Sequence, residues 1–369
     1  MRSSSSNRRW IFALIPLLGV IALGIPTVQL ARFGLEPANS EGSTTTIFVG
    51  RGMGPTELAL QLEKTQTISS AKSFVLLGRV LRKWKNIKMG EYEVSPRMSP
   101  LEIFELLGSG QSIQHPITIR EGENIFEIAD AIERSGLTSR ARTLELCRSP
   151  EFMSKLGFKA PLPPSLEGYL FPETYHFTRL QSPEEMLAIM TRKYRSVWAD
   201  LQSKYSAQIE QLGLTEHQIV TLASMIEKET GAAEERPMIS SVFHNRLQKK
   251  MRLQSDPTTI YGMWENYQGN IRKQDLLTPT PFNTYTTPAL PIGPIANPGR
   301  LALEAALNPS MSEFLFFVSQ NDGRHVFTKS FEEHSQAVRK FQLDPKAREG
   351  KSWRDLTKTA LETIKRSEN

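Results

Sequence analysis

Residues 216–230, EHQIVTLASMIEKET, constrain the fold more than any other stretch of this 369-residue chain. Thr215 and Gln218 have capping-box spacing and Gly231 supplies a stop, so the segment predicts a helix over 216–230. Ile219, Leu222, Met225 and Ile226 form one apolar stripe at helical spacing, and the next position on it is Glu229. Glu227 stands roughly 200° round the helix and faces elsewhere. A carboxyl on a core-facing stripe loses water, which raises its pKa and favours the protonated, donating form near neutral pH. Helix position alone leaves two readings open. Glu229 is either a general acid or a buried carboxylate paired with an arginine such as Arg236 or Arg246.

The next residues favour the first reading. Pro237 suits the first turn of a second helix, with Ile239, Val242, Phe243 and Leu247 on one side and Asn245 and Arg246 beside it. Gln254, Ser255, Asp256, Pro257, Thr258 and Thr259 then read as a polar loop closing on Ile260, Tyr261 and Gly262. Amides, hydroxyls, a guanidinium and an aromatic face near one carboxyl suit a sugar, which offers many hydroxyls and an apolar ring face. Composition alone would also fit an ordinary surface loop.

The runs ASMIEKET (223–230), FHNRL (243–247) and MRLQSDPTTIYG (251–262) resemble the signature of the endolytic murein transglycosylases, the MltG/YceG-like family. LEGYLFPETY (166–175) and TPTPFNTYTTPALPIGPIANPG (278–299) fit the same pattern, and the similarity runs from about residue 45 to about 345. The resemblance implies an inner-membrane-anchored enzyme that cuts peptidoglycan glycan strands internally, needing no cofactor, with peptidoglycan synthases (penicillin-binding proteins) as partners. It places Glu229 as the catalytic acid, with Thr230 beside it. Candidate sugar contacts are Asn245, Arg246, Gln254, Ser255, Asp256 and Tyr261. To these are added Glu173 and Tyr175 from a groove wall, and Asn283 and Tyr285 from a proline-stiffened loop. In this reading Glu229 protonates the glycosidic oxygen and the muramic acid C6 hydroxyl closes a 1,6-anhydro ring. A hydrolytic muramidase would instead need a second carboxylate, Asp256 or Glu173. A non-catalytic glycan-binding scaffold is the third possibility.

An envelope location fits the rest of the chain. Trp10 to Val28 carries no charge and at 1.5 Å per residue would span roughly 28 Å, about one hydrocarbon core. Arg2, Arg8 and Arg9 precede it, so the expected orientation leaves the N-terminus in the cytoplasm. Pro16 and Pro26 are tolerable in such a helix. A cleaved signal peptide is the competing reading, but no clear A-x-A site follows. Cys147 is the only cysteine, which excludes an intrachain disulfide and a cysteine zinc site. The six histidines have no metal-ligand spacing, so no metal is expected. A formal charge of +6 is spread among 39 acidic residues. It fits mild attraction to anionic envelope polymer or lipid headgroups and argues against nucleic acid.

An α+β architecture is expected. Its segments are a cytoplasmic N-terminus (1–9), a transmembrane helix (10–28), a linker (29–45), a LysM-like α/β region (46–158), a catalytic domain (159–345) and a helical tail (346–369). Within 46–158 a faint repeat superposes Gly52 to Ala59 on Gly122 to Ala129, each copy a strand (46–49, 117–119) turning through Gly into a helix. The second copy, TIREGENIFEIADAIERSGL, resembles a LysM-type glycan-binding module. Residues 88–94 read as a strand and 99–108 as a short helix. Six prolines at 279, 281, 288, 291, 294 and 298 exclude regular structure from 278–299. Phe314 to Ser319 and His325 to Thr328 read as a hairpin over Asn321-Asp322-Gly323.

Overall fold

Each expected strand–Gly–helix copy is present, and both turns use a glycine in the left-handed region, Gly52 at φ +78° and Gly122 at φ +81°. A side chain would be strained there, which is why the turn reads through Gly twice. The computed structural model describes residues 26–230 and 232–344 and is α+β, with three two-stranded sheets among the described residues. The segment Trp10 to Val28 and the tail 346–369 fall wholly or mostly outside them. No helix among the described residues is long and apolar enough to cross a membrane.

The described residues form two compact units, 26–115 with 176–182, and 116–175 with 183–344. In the smaller unit, helix α1 (residues 26–35) extends into the stretch read as linker. Its Leu30 and Phe33 pack against this unit's core, which gives the segment a reason to be helical. Strand β1 (Thr45–Val49) pairs antiparallel with β2 (Gly90–Val94), Ile47 opposite Tyr92. Between them run α2 (Pro55–Lys64) and α3 (Ala71–Val80), and α4 (Pro100–Ser109) follows behind a Ser99–Glu102 capping box. Gly110, not Gly108, closes α4 in the left-handed conformation. The core is aromatic at its centre. Phe74 stacks on Phe104 with ring centroids 4.2 Å apart, and Trp84 meets both edge-on.

The second copy is β3 (His115–Thr118), which enters the larger unit at Pro116, and α5 (Ile125–Arg134), followed by α6 (Arg140–Cys147) and α7 (Pro150–Lys155). Strand β4 (Thr174–Phe177) pairs with β3, and α8 (Pro183–Lys204) and α9 (Ser206–Leu212) lead to the central helix. That helix, α10 (Glu216–Glu229), is buried without interruption from Ile219 to Ile226. Its Thr215–Gln218 capping box forms as expected, and Thr230 leaves it in extended conformation. Gly231, the expected stop, lies outside the described residues. Helix α10 packs against α11 (Arg236–Gln248) and α14 (Arg300–Leu307). The polar run after α11 departs from the loop reading. It folds as a short helix, α12 (Asp256–Gly262), because Pro257 sits in the first turn, where its missing N–H costs nothing. Helix α13 (Lys273–Leu277) precedes the proline-rich stretch, which carries no helix or strand up to Arg300. The expected hairpin is β5 (Phe316–Ser319) with β6 (His325–Thr328), followed by α15 (Phe331–Val338).

Asn297 locks the proline-rich stretch onto this framework. Its Oδ1 accepts from the Gly168 and Leu170 amides, both at 2.9 Å. Its Nδ2 donates to the Glu123 carbonyl and to the Glu167 carboxyl. Gly168 has φ +86°, and a Cβ there would stand 2.6 Å from Pro294 and 2.8 Å from Val220. The stretch is therefore positioned by side-chain-to-backbone bonds in place of a ladder.

Candidate active site

Glu229 ends α10, and the loop before α12 meets it. Ser255, buried at 2% exposure, donates from Oγ to Glu229 Oε1. Ser255 is itself fixed, its amide donating to Thr284 Oγ1 at 3.0 Å and its carbonyl accepting from Thr258 Oγ1 at 2.6 Å. Burial pushes the Glu229 carboxyl up from 4.5 to about 7. The Ser255 hydrogen bond opposes that shift, the Asp256 charge adds to it, and the Arg246 charge opposes it. The negative end of the helix dipole acts in the raising direction. A carboxyl so placed is protonated for a substantial fraction of the time near neutral pH.

Glu227 has the other fate that the sequence left open. Its side chain is 4% exposed, ion-paired with Arg236 at 2.7 Å, and its Oε2 accepts the Gly299 amide at 2.9 Å. It ties the end of α10 to the start of α14. The helical angle separates the two carboxyls, but the far side of α10 is also packed, and Glu227 is engaged there by Arg236 and the Gly299 amide. Glu167 is a third buried carboxyl, pushed up to about 8 by burial. At 1% exposure, with hydrogen bonds from the Ile125 amide, Asn297 and the Tyr261 hydroxyl, it is sealed into the framework.

The remaining candidates divide by geometry. Ser255, Asp256 and Tyr285 gather beside Glu229, and the Tyr285 hydroxyl donates to Asp256 Oδ1 at 2.6 Å. Gln254 precedes them with an exposed side chain and a left-handed backbone, φ +51°. The fold engages the polar atoms of the others. Asn245 Nδ2 donates to the carbonyls of Ser312 and Phe314, each at 2.9 Å. Arg246 donates to the carbonyls of Leu315, Leu253 and Arg252 and reaches Glu229 only through its charge. Asn283 is fully buried, donating to three carbonyls of the α13 turn and accepting from Thr259 and Tyr285. Tyr261 points to Glu167, Phe126 and Phe282 at the far end of α12. Tyr175 is core, its hydroxyl donating to the Phe171 carbonyl at 2.6 Å. Glu173 is exposed and paired with Lys193 at 2.8 Å.

Two clefts open on Glu229 and Thr230. One, of about 370 Å³, is lined by Glu121, Gly122, Glu227, Lys228 and Arg236. The other, of about 460 Å³, is walled by Phe317, Val318, Ser319, Gly323 and His325 of the hairpin. The distant parts of these walls, Glu121 with Gly122 and the hairpin residues, were not legible as part of the site. They lie roughly 100 residues from Glu229 along the chain, and no short motif marks them.

Residues 47–340 match the YceG-like family. Over 324 residues the chain is 32% identical to the endolytic murein transglycosylase of Bacillus subtilis (strain 168), covering 83% of this chain and 88% of that protein. Over 334 residues it is 28% identical to the endolytic murein transglycosylase of Streptococcus pneumoniae serotype 2, covering 82% of this chain and 59% of that protein. A 2.6 Å crystal structure of a yceG-like protein from Listeria monocytogenes aligns with TM-score 0.55 at 31% identity, covering 80% of this chain and 100% of that one. The matched span holds the Glu229 helix, its Ser255 partner and both cleft walls, and it makes this chain a member of the YceG-like family.

Proposed function

We propose that the protein is a lytic transglycosylase that cleaves peptidoglycan glycan strands internally, with Glu229 as its single acid–base group. The observation that carries this reading is a carboxyl raised to about 7, opening on two clefts, with one oxygen held by a rigid hydroxyl. Similarity to proteins named endolytic murein transglycosylase supports the substrate and the reaction class.

With Oε1 held by Ser255, Oε2 carries the transferable proton. Glu229 donates it to the oxygen linking N-acetylmuramic acid to N-acetylglucosamine, and charge developing at C1 is met by the substrate's own 2-acetamido group. The resulting carboxylate takes the proton of the C6 hydroxyl as that oxygen closes on C1, leaving a 1,6-anhydro end. Closure within one sugar has a proximity advantage over attack by water. Glu173 is engaged by Lys193. Asp256, bound by Tyr285, is the carboxylate whose charge reaches Glu229, so a hydrolytic muramidase using Asp256 is the second reading.

Anchoring through Trp10 to Val28, with the enzyme body on the outer side of the plasma membrane, belongs to the same proposal. So does work alongside peptidoglycan synthases at nascent strands. The test of the acid compares Glu229→Gln with Glu227→Gln on isolated sacculi. Glu229→Gln should release no muropeptide from a folded protein, whereas Glu227→Gln should lose activity only as it loses stability. Turnover surviving in Glu229→Gln refutes the assignment.

A further inference from the structure

Hairpin strand β6 begins with His325, and that residue is gripped by one carboxylate at two points. Glu235 Oε1 accepts the His325 backbone amide at 3.0 Å, and Oε2 stands 2.7 Å from Nδ1. Both side chains are largely buried, at 10% and 14% exposure. Phe317 meets the imidazole edge-on, with ring centroids 5.5 Å apart, which fixes the ring plane. In the neutral ring, Nδ1–H donating to a carboxylate selects the tautomer that leaves Nε2 as an acceptor. No protein group hydrogen-bonds to Nε2 among the described residues, and His325 lines the same cleft as Glu229 and Thr230.

We propose that His325 contacts the substrate: its Nε2 accepts a hydrogen bond from a hydroxyl of the sugar seated beside Glu229, with Glu235 as the positioning residue that aims the ring. The backbone grip alone would tie β6 down. A second bond that orients an imidazole, whose other nitrogen is left for a partner in the acid's own cleft, does what a tie does not require. The ligand class is a neutral saccharide hydroxyl. No proton changes owner in this contact, so Glu229 keeps the whole acid–base role.

The proposal rests on the transglycosylase reading, and one set of full-length variants separates the two. An Asn amide reaches about as far as Nδ1 and a Gln amide about as far as Nε2. His325→Asn therefore keeps a donor for Glu235 but removes the cleft atom, while His325→Gln supplies one. On soluble uncrosslinked glycan strands, His325→Asn should lower kcat/KM about tenfold, the worth of one hydrogen bond, mainly through KM and at an unchanged thermal midpoint. His325→Gln should recover part of it, and Glu235→Ala should follow His325→Asn in kcat/KM, with a lowered thermal midpoint because the His325 backbone N–H also loses its acceptor. Wild-type kcat/KM in His325→Asn overturns the proposal. So does a loss that tracks a fallen thermal midpoint and is not recovered by His325→Gln, which marks a hairpin tie. Failure of the underlying reading shows separately, as turnover in Glu229→Gln.

Discussion

Glu229→Gln tests the site through stability, before any substrate is added. Burial raises the carboxyl from 4.5 to about 7, so the folded protein holds this proton more tightly than the unfolded chain does. That displacement corresponds to about 3 kcal/mol between protonation states, an upper figure because Glu229 is only partly buried. The folded pKa lies above the unfolded one, so the stabilising contribution is complete below about pH 4.5 and is lost as pH rises to about 7. The glutamine is neutral throughout and keeps an oxygen for Ser255 Oγ, so it escapes that loss. Stability of Glu229→Gln relative to wild type should therefore be flat below about pH 4.5, climb to about pH 7, and level off. The rise should be roughly 1–3 kcal/mol, or about 2–4 °C of thermal midpoint per kcal/mol. Scanning calorimetry of both proteins from about pH 4 to about pH 8.5 reads it directly. A difference that ignores pH, or that turns against the variant as pH rises, refutes the reasoning. It would mean that the Glu229 carboxylate is as well solvated folded as unfolded, and that nothing holds the acid protonated.

Activity should follow the same group, with kcat/KM falling above about pH 7 as the protonated form is lost, read as a pH profile on glycan strands. Gly168→Ala combines a positive φ with a Cβ 2.6 Å from Pro294, and should lower stability by about 1–3 kcal/mol in denaturant melts. Asn245→Ala should lose stability by about 1–3 kcal/mol through the two carbonyls it leaves unpaired, with activity following stability, whereas Gln254→Ala should weaken glycan binding at unchanged stability. Comparing melting temperature with turnover checks both.

Local signals in the sequence identified local structure well. The Thr215–Gln218 capping box and the stripe Ile219, Leu222, Met225, Ile226 define α10, and the position of Glu229 follows from them. Pro237 marks the first turn of α11, and Asn321 and Gly323 mark the turn of the hairpin. What the sequence hid depends on partners distant in the chain. Asn245 and Arg246 look like free sugar-binding groups, yet carbonyls at 312–315, nearly 70 residues on, take up their donors. Tyr261 sits close to Ser255 in sequence, but α12 carries it to the opposite end of a helix, where Glu167 meets it. Glu227 was read as facing away from the core, whereas α10 is central enough to bury both sides. His325 and Glu235, 90 residues apart, could be paired only once β6 was placed. Helical spacing tells which way a side chain points, and only the packed fold tells what it meets.

The central claim is that one carboxyl, Glu229, drives intramolecular ring closure. The most direct test is mass spectrometry of the new glycan ends released from isolated sacculi by full-length wild-type protein, with Glu229→Gln alongside. The account expects 1,6-anhydro-muramic acid ends from the wild type and no new ends from the variant. Reducing muramic acid ends would contradict it, and would point to water activated by a second carboxylate, Asp256.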